Sequence, residues 1–318
     1  MEWVKLVSIL SDNDVEHNLS SQDIPNTALW GVSPTGCPHI GYLPTIALLK
    51  HLKSLGANIL LLIADYHAYM DSEKTPWKDL DKKTTEYRTV FKAYGFGEDI
   101  VILSEIYTRK NYVNSFYEFS RYLPSIELIN AAKTTLKSYF TKEYRFSDFL
   151  YVATQIHDVK YFNVDFVISG KDECGIYKLG LPILSKITNK KYFFAYLPVI
   201  PGLEQKEMHA TDKASNKITL FDDRNTIENK IRTYLLKCLE TNTYPELVRY
   251  IENIIFPLFE FDKNVNLFQP NSDGIRGLTA SINLQFSRRL DPCHMPCRIR
   301  CIVLYLINII SHYIILSL

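Results

Sequence analysis

The stretch from Ala57 to Asp65, ANILLLIAD, constrains the fold more than any other part of the chain. From Ile59 to Ala64 it holds no polar residue. It is too short to span a bilayer as a helix. A short unbroken apolar run of this kind reads as a strand buried on both faces. Such strands belong to parallel sheets, which need helices to cover both sides. The preceding residues supply what that requires. ALWGV (28–32) reads as a first strand, SPTGCPHIG as a Pro/Gly turn, and YLPTIALLKHLKSLG as a helix stopped by Gly56.

The alternation continues. A helix is expected to start near Trp77, behind Thr75-Pro76, since proline is tolerated in the first helical turn. DIVILSE (99–105), VDFVISG (164–170) and YFFAYLPVI (192–200) read as three more strands. The expected class is therefore α/β, a doubly wound parallel sheet with right-handed crossovers. The pattern changes near residue 224. RNTIENKIRTYLLKCLE and YPELVRYIENIIFPLFEF read as helices, with Asn225 or Thr226 as cap of the first. Two domains follow: residues 1–223 as the sheet domain and residues 224–318 as a mainly helical C-terminal domain.

Composition narrows the function. Lys and Arg number 36 against 35 Asp and Glu, a net charge of +1. That excludes blanket binding to DNA, and any polyanion site must be local. The chain of 318 residues has six cysteines, too few for a disulfide framework, and its first residues do not form a signal peptide. A reduced, cytoplasmic protein is expected. The apolar segment 301–318 is interrupted by Asn308, Ser311 and His312, so a buried element is expected and a membrane anchor is the competing reading. Cys293, Cys297 and Cys301 fit no common zinc spacing, and no metal site is assigned to protein ligands.

Ligands of an open parallel sheet bind beyond the carboxyl ends of its strands. Three such places are polar here. The turn Pro34–Tyr42 carries Gly36, His39 and Gly41 just before a helix, where backbone can approach a phosphate. Tyr151, Gln155 and Asp158 are spaced by four and three, so they share one helix face. That face either lies in water or holds a polar ligand. Ser169-Gly170-Lys171-Asp172-Glu173 closes the fourth strand, and Asp172 there is either a ribose acceptor or a helix cap.

Taken together, LWGVSPTGCPHIGY, LLLIADYHAYMD followed by PW, LYVATQIHDVKYFNVDFVISGKDE and PVIPGL resemble the tyrosyl-tRNA synthetases of the archaeal and eukaryotic branch of class I. The likeness covers roughly residues 20–260. PHIGY stands at the family's HIGH signature, and ADYHAYMD favours the tyrosine branch over the tryptophan one. The resemblance implies a Rossmann-like class I core and a helical, anticodon-reading C-terminal domain. It implies ATP and Mg2+, tyrosine and tRNA(Tyr) as partners, and a homodimer formed around 110–140. The implied activity is tyrosine–tRNA ligase: tyrosine is activated to tyrosyl-adenylate and passed to tRNA. A pseudo-synthetase that binds amino acid or tRNA without activating it is the alternative.

The resemblance implies roles residue by residue. Gly36, His39 and Gly41 match the ATP-binding turn, with His39 and Gly41 in its catalytic signature, and Asp172 matches the ribose-facing acid. Tyr151 and Gln155 match positions that hold the α-amino group and ring, and Asp158 matches the carboxylate facing the phenol. Asp65 is given a structural role. Leu29 stands where the family has a second phenol ligand, and Glu173 replaces a glutamine. The mobile KMSKS loop is altered to Glu204–Lys213, where Met208 matches and is taken as a catalytic and ATP-binding residue, Thr211 substitutes a hydroxyl and Glu207 replaces the first lysine. Losing one positioned donor at a developing charge costs about 10²–10³ in rate. Lys206 and Lys213 are the nearby cations, and Lys206 is the catalytic candidate of the two.

Overall fold

In the computed structural model the described residues are 7, 24–71, 75–135, 145–197, 199–204 and 207–241. Five strands form one parallel sheet: β1 (Thr27–Val32), β2 (Asn58–Ile63), β3 (Ile100–Ile102), β4 (Phe166–Gly170) and β5 (Phe193–Leu197). Their spatial order is β3-β2-β1-β4-β5. The order reverses between β1 and β4, and that reversal opens a crevice at their carboxyl ends.

The run at 57–65 is β2, flanked by β1 and β3 with Leu61 opposite both Trp30 and Ile100. It cannot face water on either side, which explains its lack of polar residues. Side chains alternate across the sheet. Ala28, Trp30 and Val32 join one core with helices α1 (Leu43–Ser54) and α3 (Leu80–Ala93). Leu29 and Leu62 join the other with α6 (Ser125–Thr135), α7 (Phe146–Tyr161) and α8 (Cys174–Thr188).

The expected α1 ends where Gly56 adopts a φ of +96°, a conformation open mainly to glycine. The helix expected near Trp77 begins there as a 3-10 turn, Trp77–Asp79, and becomes α-helical at Leu80. The expected strand at 99–105 is shorter. It stops at Ile102, and Leu103–Tyr107 forms helix α4. The reason is a carboxylate distant in sequence: Asp65, at the head of α2 (Asp65–Met70), accepts from the backbone N–H groups of Ser104 and Tyr66 at 2.9 Å each. A side chain has taken the place of a ladder partner. Helix α5 (Lys110–Ser120) follows.

Helix α9 (Arg224–Glu240) matches the expected span. Its cap does not fall on Asn225 or Thr226; Asp223 accepts from Thr226 N–H at 2.7 Å. Ile227, Ile231, Tyr234, Leu235 and Cys238 of α9 pack into the core beneath Trp30 and Phe91. The second expected C-terminal helix, the cysteine cluster near Cys297 and the segment 301–318 lie outside the described residues. Among the described residues no helix is long and apolar enough to cross a membrane.

Phe91 is fully buried between Trp30 and Tyr87, with edge contacts to both rings at 5.5 and 6.1 Å. Phe91→Ala is expected to lower unfolding free energy by about 3–5 kcal/mol in urea titration. A loss below about 1 kcal/mol would show that α3 does not close this core.

Candidate active site

Helix α7 begins with Arg145 N–H donating to the Asp148 carboxylate at 2.8 Å. That caps the helix start, while burial of Val152, Ile156 and Val159 in the Leu29-side core sets which face turns inward. Tyr151, Gln155 and Asp158 are 4 %, 8 % and 2 % exposed. The face left open between water and a ligand is therefore buried. All three line one partly open cavity with Leu29, Leu62, Ala64, Leu103, His67, Glu173 and Tyr177. One wall is aliphatic and the other bears carboxylates, phenols and an amide.

The polar wall has two ends. At one, Glu173 accepts from Tyr151 OH at 3.2 Å and from Ser169 OH at 2.7 Å. Burial, and then the nearby Asp172 charge, push its carboxyl above the usual range. Gln155 donates to Tyr177 OH at 3.0 Å, while its own carbonyl oxygen is buried without a donor among the described residues. A carboxyl and an open amide acceptor beside a cavity suit a cationic donor.

At the other end lies Asp158. Tyr107 OH donates to one of its oxygens at 2.8 Å and Tyr112 OH to the other at 2.7 Å. Tyr107 OH also lies 3.0 Å from His67 Nε2, which is 3.0 Å from Thr154 Oγ1. Thr154 OH donates to the Leu150 carbonyl, so both hydroxyl oxygens accept from His67 Nε2–H. Burial holds His67 neutral, with its pKa lowered to about 3. Burial also pushes Asp158 up to about 7, against the two phenol donors.

His39 is buried at the start of a 3-10 turn, and its Nδ1 accepts from Gly41 N–H at 3.2 Å. Burial first, then Lys217 and His209, lower its pKa to about 3. It is a neutral imidazole with its proton on Nε2, a donor rather than a base. A Cβ on Gly41 would stand 2.8 Å from the His39 ring, which explains the glycine. Residues 38–40 are clipped to 218–220 by Ile40 N–H to Ile218 O at 3.1 Å and Leu220 N–H to Pro38 O at 2.9 Å.

The remaining expected residues fall as follows. Leu29 lines the cavity and offers no polar atom to it. Asp172 is exposed beside Gly170. Gly36 is pressed against the altered loop: a Cβ there would lie 1.6 Å from Ala210 O. Met208 is buried in the core with Ile200 and Leu203, away from solvent. Lys206 lies outside the described residues. Tyr107, Tyr112, His67 and Tyr177 were not legible as site residues. Tyr107 and Tyr112 sit five apart on two separate helices, a spacing that marks no common face.

A parallel sheet whose strand order reverses over a cavity, with a glycine–histidine turn after its first strand, defines an α/β protein of the Rossmann-like class. The family described as "tRNA synthetases class I (W and Y)" matches residues 22–269, and this chain belongs to it. It is 26 % identical over 263 residues to the cytoplasmic tyrosine–tRNA ligase of Gallus gallus, covering 80 % of this chain and 47 % of that protein. It is 26 % identical over 241 residues to the tyrosine–tRNA ligase of Haloarcula marismortui, covering 74 % of this chain and 68 % of that one. The chain thus spans about half the length of the Gallus relative. Among solved structures, the Pyrococcus horikoshii tyrosyl-tRNA synthetase complexed with L-tyrosine superposes with a TM-score of 0.69 at 16 % identity, over 98 % of this chain and 95 % of that one. The Plasmodium falciparum tryptophanyl-tRNA synthetase superposes at 0.61 and 15 % identity, over 93 % and 76 %. Both show the shared fold.

Asp158 titrates near 4 in an unfolded chain and near 7 when folded. Between those values the folded protein keeps a proton that the unfolded chain releases. The associated stability is full below about pH 4 and lost as pH rises through about 7. Urea midpoints should therefore fall across that window. Asp158→Asn should flatten the fall, leaving the part due to Glu173. Parallel profiles for the two proteins would place the Asp158 pKa elsewhere.

Proposed function

We propose that the chain is a tyrosine–tRNA ligase acting in the cytoplasm as a homodimer. ATP and tyrosine give tyrosyl-adenylate and pyrophosphate, and the tyrosyl group passes to tRNA(Tyr). The observation that carries the reading is the convergence of Tyr151, Gln155, Glu173 and Asp158 on one cavity with an aliphatic wall. An amino acid with a large aromatic side chain complements it: ammonium toward Glu173 and Gln155, ring along Leu29 and Leu62, ring terminus toward Asp158.

Activation needs little covalent help from the protein. The tyrosine carboxylate attacks the α-phosphate and pyrophosphate leaves. The protein aligns the two and stabilises charge. His39 Nε2–H serves as a neutral donor at the nucleotide turn, and Gly36 and Gly41 let backbone approach it. Asp172 takes the ribose. Class I synthetases use ATP, and Mg2+ in this reading arrives on its phosphates. Among the described residues no three His, Cys, Asp or Glu side chains group to hold a metal themselves.

One observation favours the alternative of a binding module without activation. Glu207 stands at the loop position of a lysine, and it faces solvent beside His209. Tyrosine-dependent exchange of labelled pyrophosphate into ATP separates the two. Exchange is expected; tyrosine binding without exchange at high protein concentration would establish the inactive module.

With Leu29 in place of a hydroxyl group, Asp158 alone reads the phenol. Beside the donors Tyr107 and Tyr112, the Asp158 carboxyl keeps lone pairs for one more, so a ring that brings its own hydroxyl is favoured over an analogue without one. Asp158→Ala should therefore erase the preference for tyrosine over phenylalanine in exchange kinetics. An unchanged preference would place the phenol elsewhere.

A further inference from the structure

The proposed reaction brings a triphosphate to the turn Pro34–Gly41, and a triphosphate demands cations. The altered loop does not present one at its first position. The Glu207 side chain is 69 % exposed, with its carboxylate 3.3 Å from His209 Nε2. Yet the loop backbone does lie on the turn, since Ala210 O occupies the space a Cβ of Gly36 would need.

Two other lysines reach that place from different elements. Lys217 is 4 % exposed, and its ammonium donates to Ala210 O. The residues after it, 218–220, are the ones clipped to 38–40, so Lys217 is held beside the signature turn. Its charge is felt by His39 and lowers the pKa of that ring. Lys83, on α3, donates to Thr35 O at 2.7 Å and to Thr75 Oγ1 at 3.2 Å. Thr75 in turn donates to Pro34 O at 2.9 Å.

The charges around them are accounted for. Lys230 is neutralised by Asp222 at 2.6 Å and donates to Lys217 O at 2.9 Å. Cys37 and then Asp212 act on Lys217 to raise its pKa, but the Asp212 carboxylate accepts from Asn216 Nδ2 at 2.7 Å and His209 N–H at 2.8 Å. Among the described residues neither Lys83 nor Lys217 pairs with a carboxylate. Lys83 and Lys230 both depress the pKa of Lys217, after burial, so like charges are gathered at the turn at a cost. Each ammonium has three N–H groups. Lys83 spends two on the protein and Lys217 one, leaving three for an anion.

We propose that Lys83 and Lys217 clamp the β- and γ-phosphates of ATP, and pyrophosphate, in place of a signature-loop lysine. The proposal rests on the ATP-dependent reading above and deepens it. Lys83 is held on α3 by Thr35 and Thr75, and Lys217 by Ala210 O and the backbone clip that follows it, so the clamp is built before the nucleotide arrives.

Calorimetric titration of the full chain with sodium pyrophosphate tests it, alongside a tyrosine titration followed by intrinsic fluorescence. Wild type is expected to bind both. Lys83→Met and Lys217→Met should each weaken pyrophosphate about tenfold and leave tyrosine binding unchanged, and Lys217→Arg should keep most of the affinity. Lys83 lies on a partly exposed helix face, so Lys83→Met reads out even where Lys217→Met disturbs folding. Unchanged pyrophosphate affinity in Lys83→Met overturns the clamp. So does loss of affinity in Lys213→Met alone, which would return the role to the loop. Wild type binding tyrosine but not pyrophosphate overturns the clamp while the amino-acid site stands. Wild type binding neither overturns the ATP-dependent reading itself.

Discussion

A carboxylate inside a protein must be satisfied or neutralised, and much of the candidate site is arranged around that requirement at Asp158. The phenols of Tyr107 and Tyr112 each give it a hydrogen bond. Those phenols come from α4 and α5, so the short helices after β3 are held against α7 by a polar contact as well as by packing. The same arrangement ends β3 early, because Asp65 draws Ser104 out of the ladder. The shape of the crevice and the chemistry at its floor are thus one problem with one solution.

The two sides of the sheet divide the work. On the Trp30 side, α1, α3 and α9 form a dry core that also buries Met208 and the residues clipped to the His39 turn. On the Leu29 side, α7, the turn before α8 and α8 itself carry polar groups that would be costly without each other: Tyr151 on Glu173, Gln155 on Tyr177. The His39 turn belongs to the first side by its anchoring, and the cavity lined by Tyr151, Gln155 and Asp158 to the second. The switch point is where the two meet.

Much of this could be read from the chain. The apolar run at 57–65 announced a doubly covered parallel strand, and the spacing of Tyr151, Gln155 and Asp158 announced a shared face. Whether that face met water or a cavity could not be read, since helical periodicity fixes relative but not absolute orientation. The strand at 99–105 was read too long because Leu103 and Ile106 are apolar in either conformation, and the carboxylate that decides between them lies 39 residues away. Tyr107, Tyr112, Lys83 and Lys217 were hidden for the same reason. Each acquires its role from a partner distant in sequence, and nothing local distinguishes it from an ordinary core ring or surface cation. Leu29 and Glu207 were legible as departures from the family pattern, and Leu29 indeed lines the cavity.

The imidazoles of His39 and His67 have a consequence of their own. Dehydration strips both of basicity, so neither acquires charge anywhere in the range a cell experiences. The cavity and the turn beside it would then be electrically deaf to modest swings in acidity near neutrality as far as these two histidines are concerned. The sensitivity that remains sits in the buried carboxyls of Asp158 and Glu173, which give up their protons as pH rises through about 7.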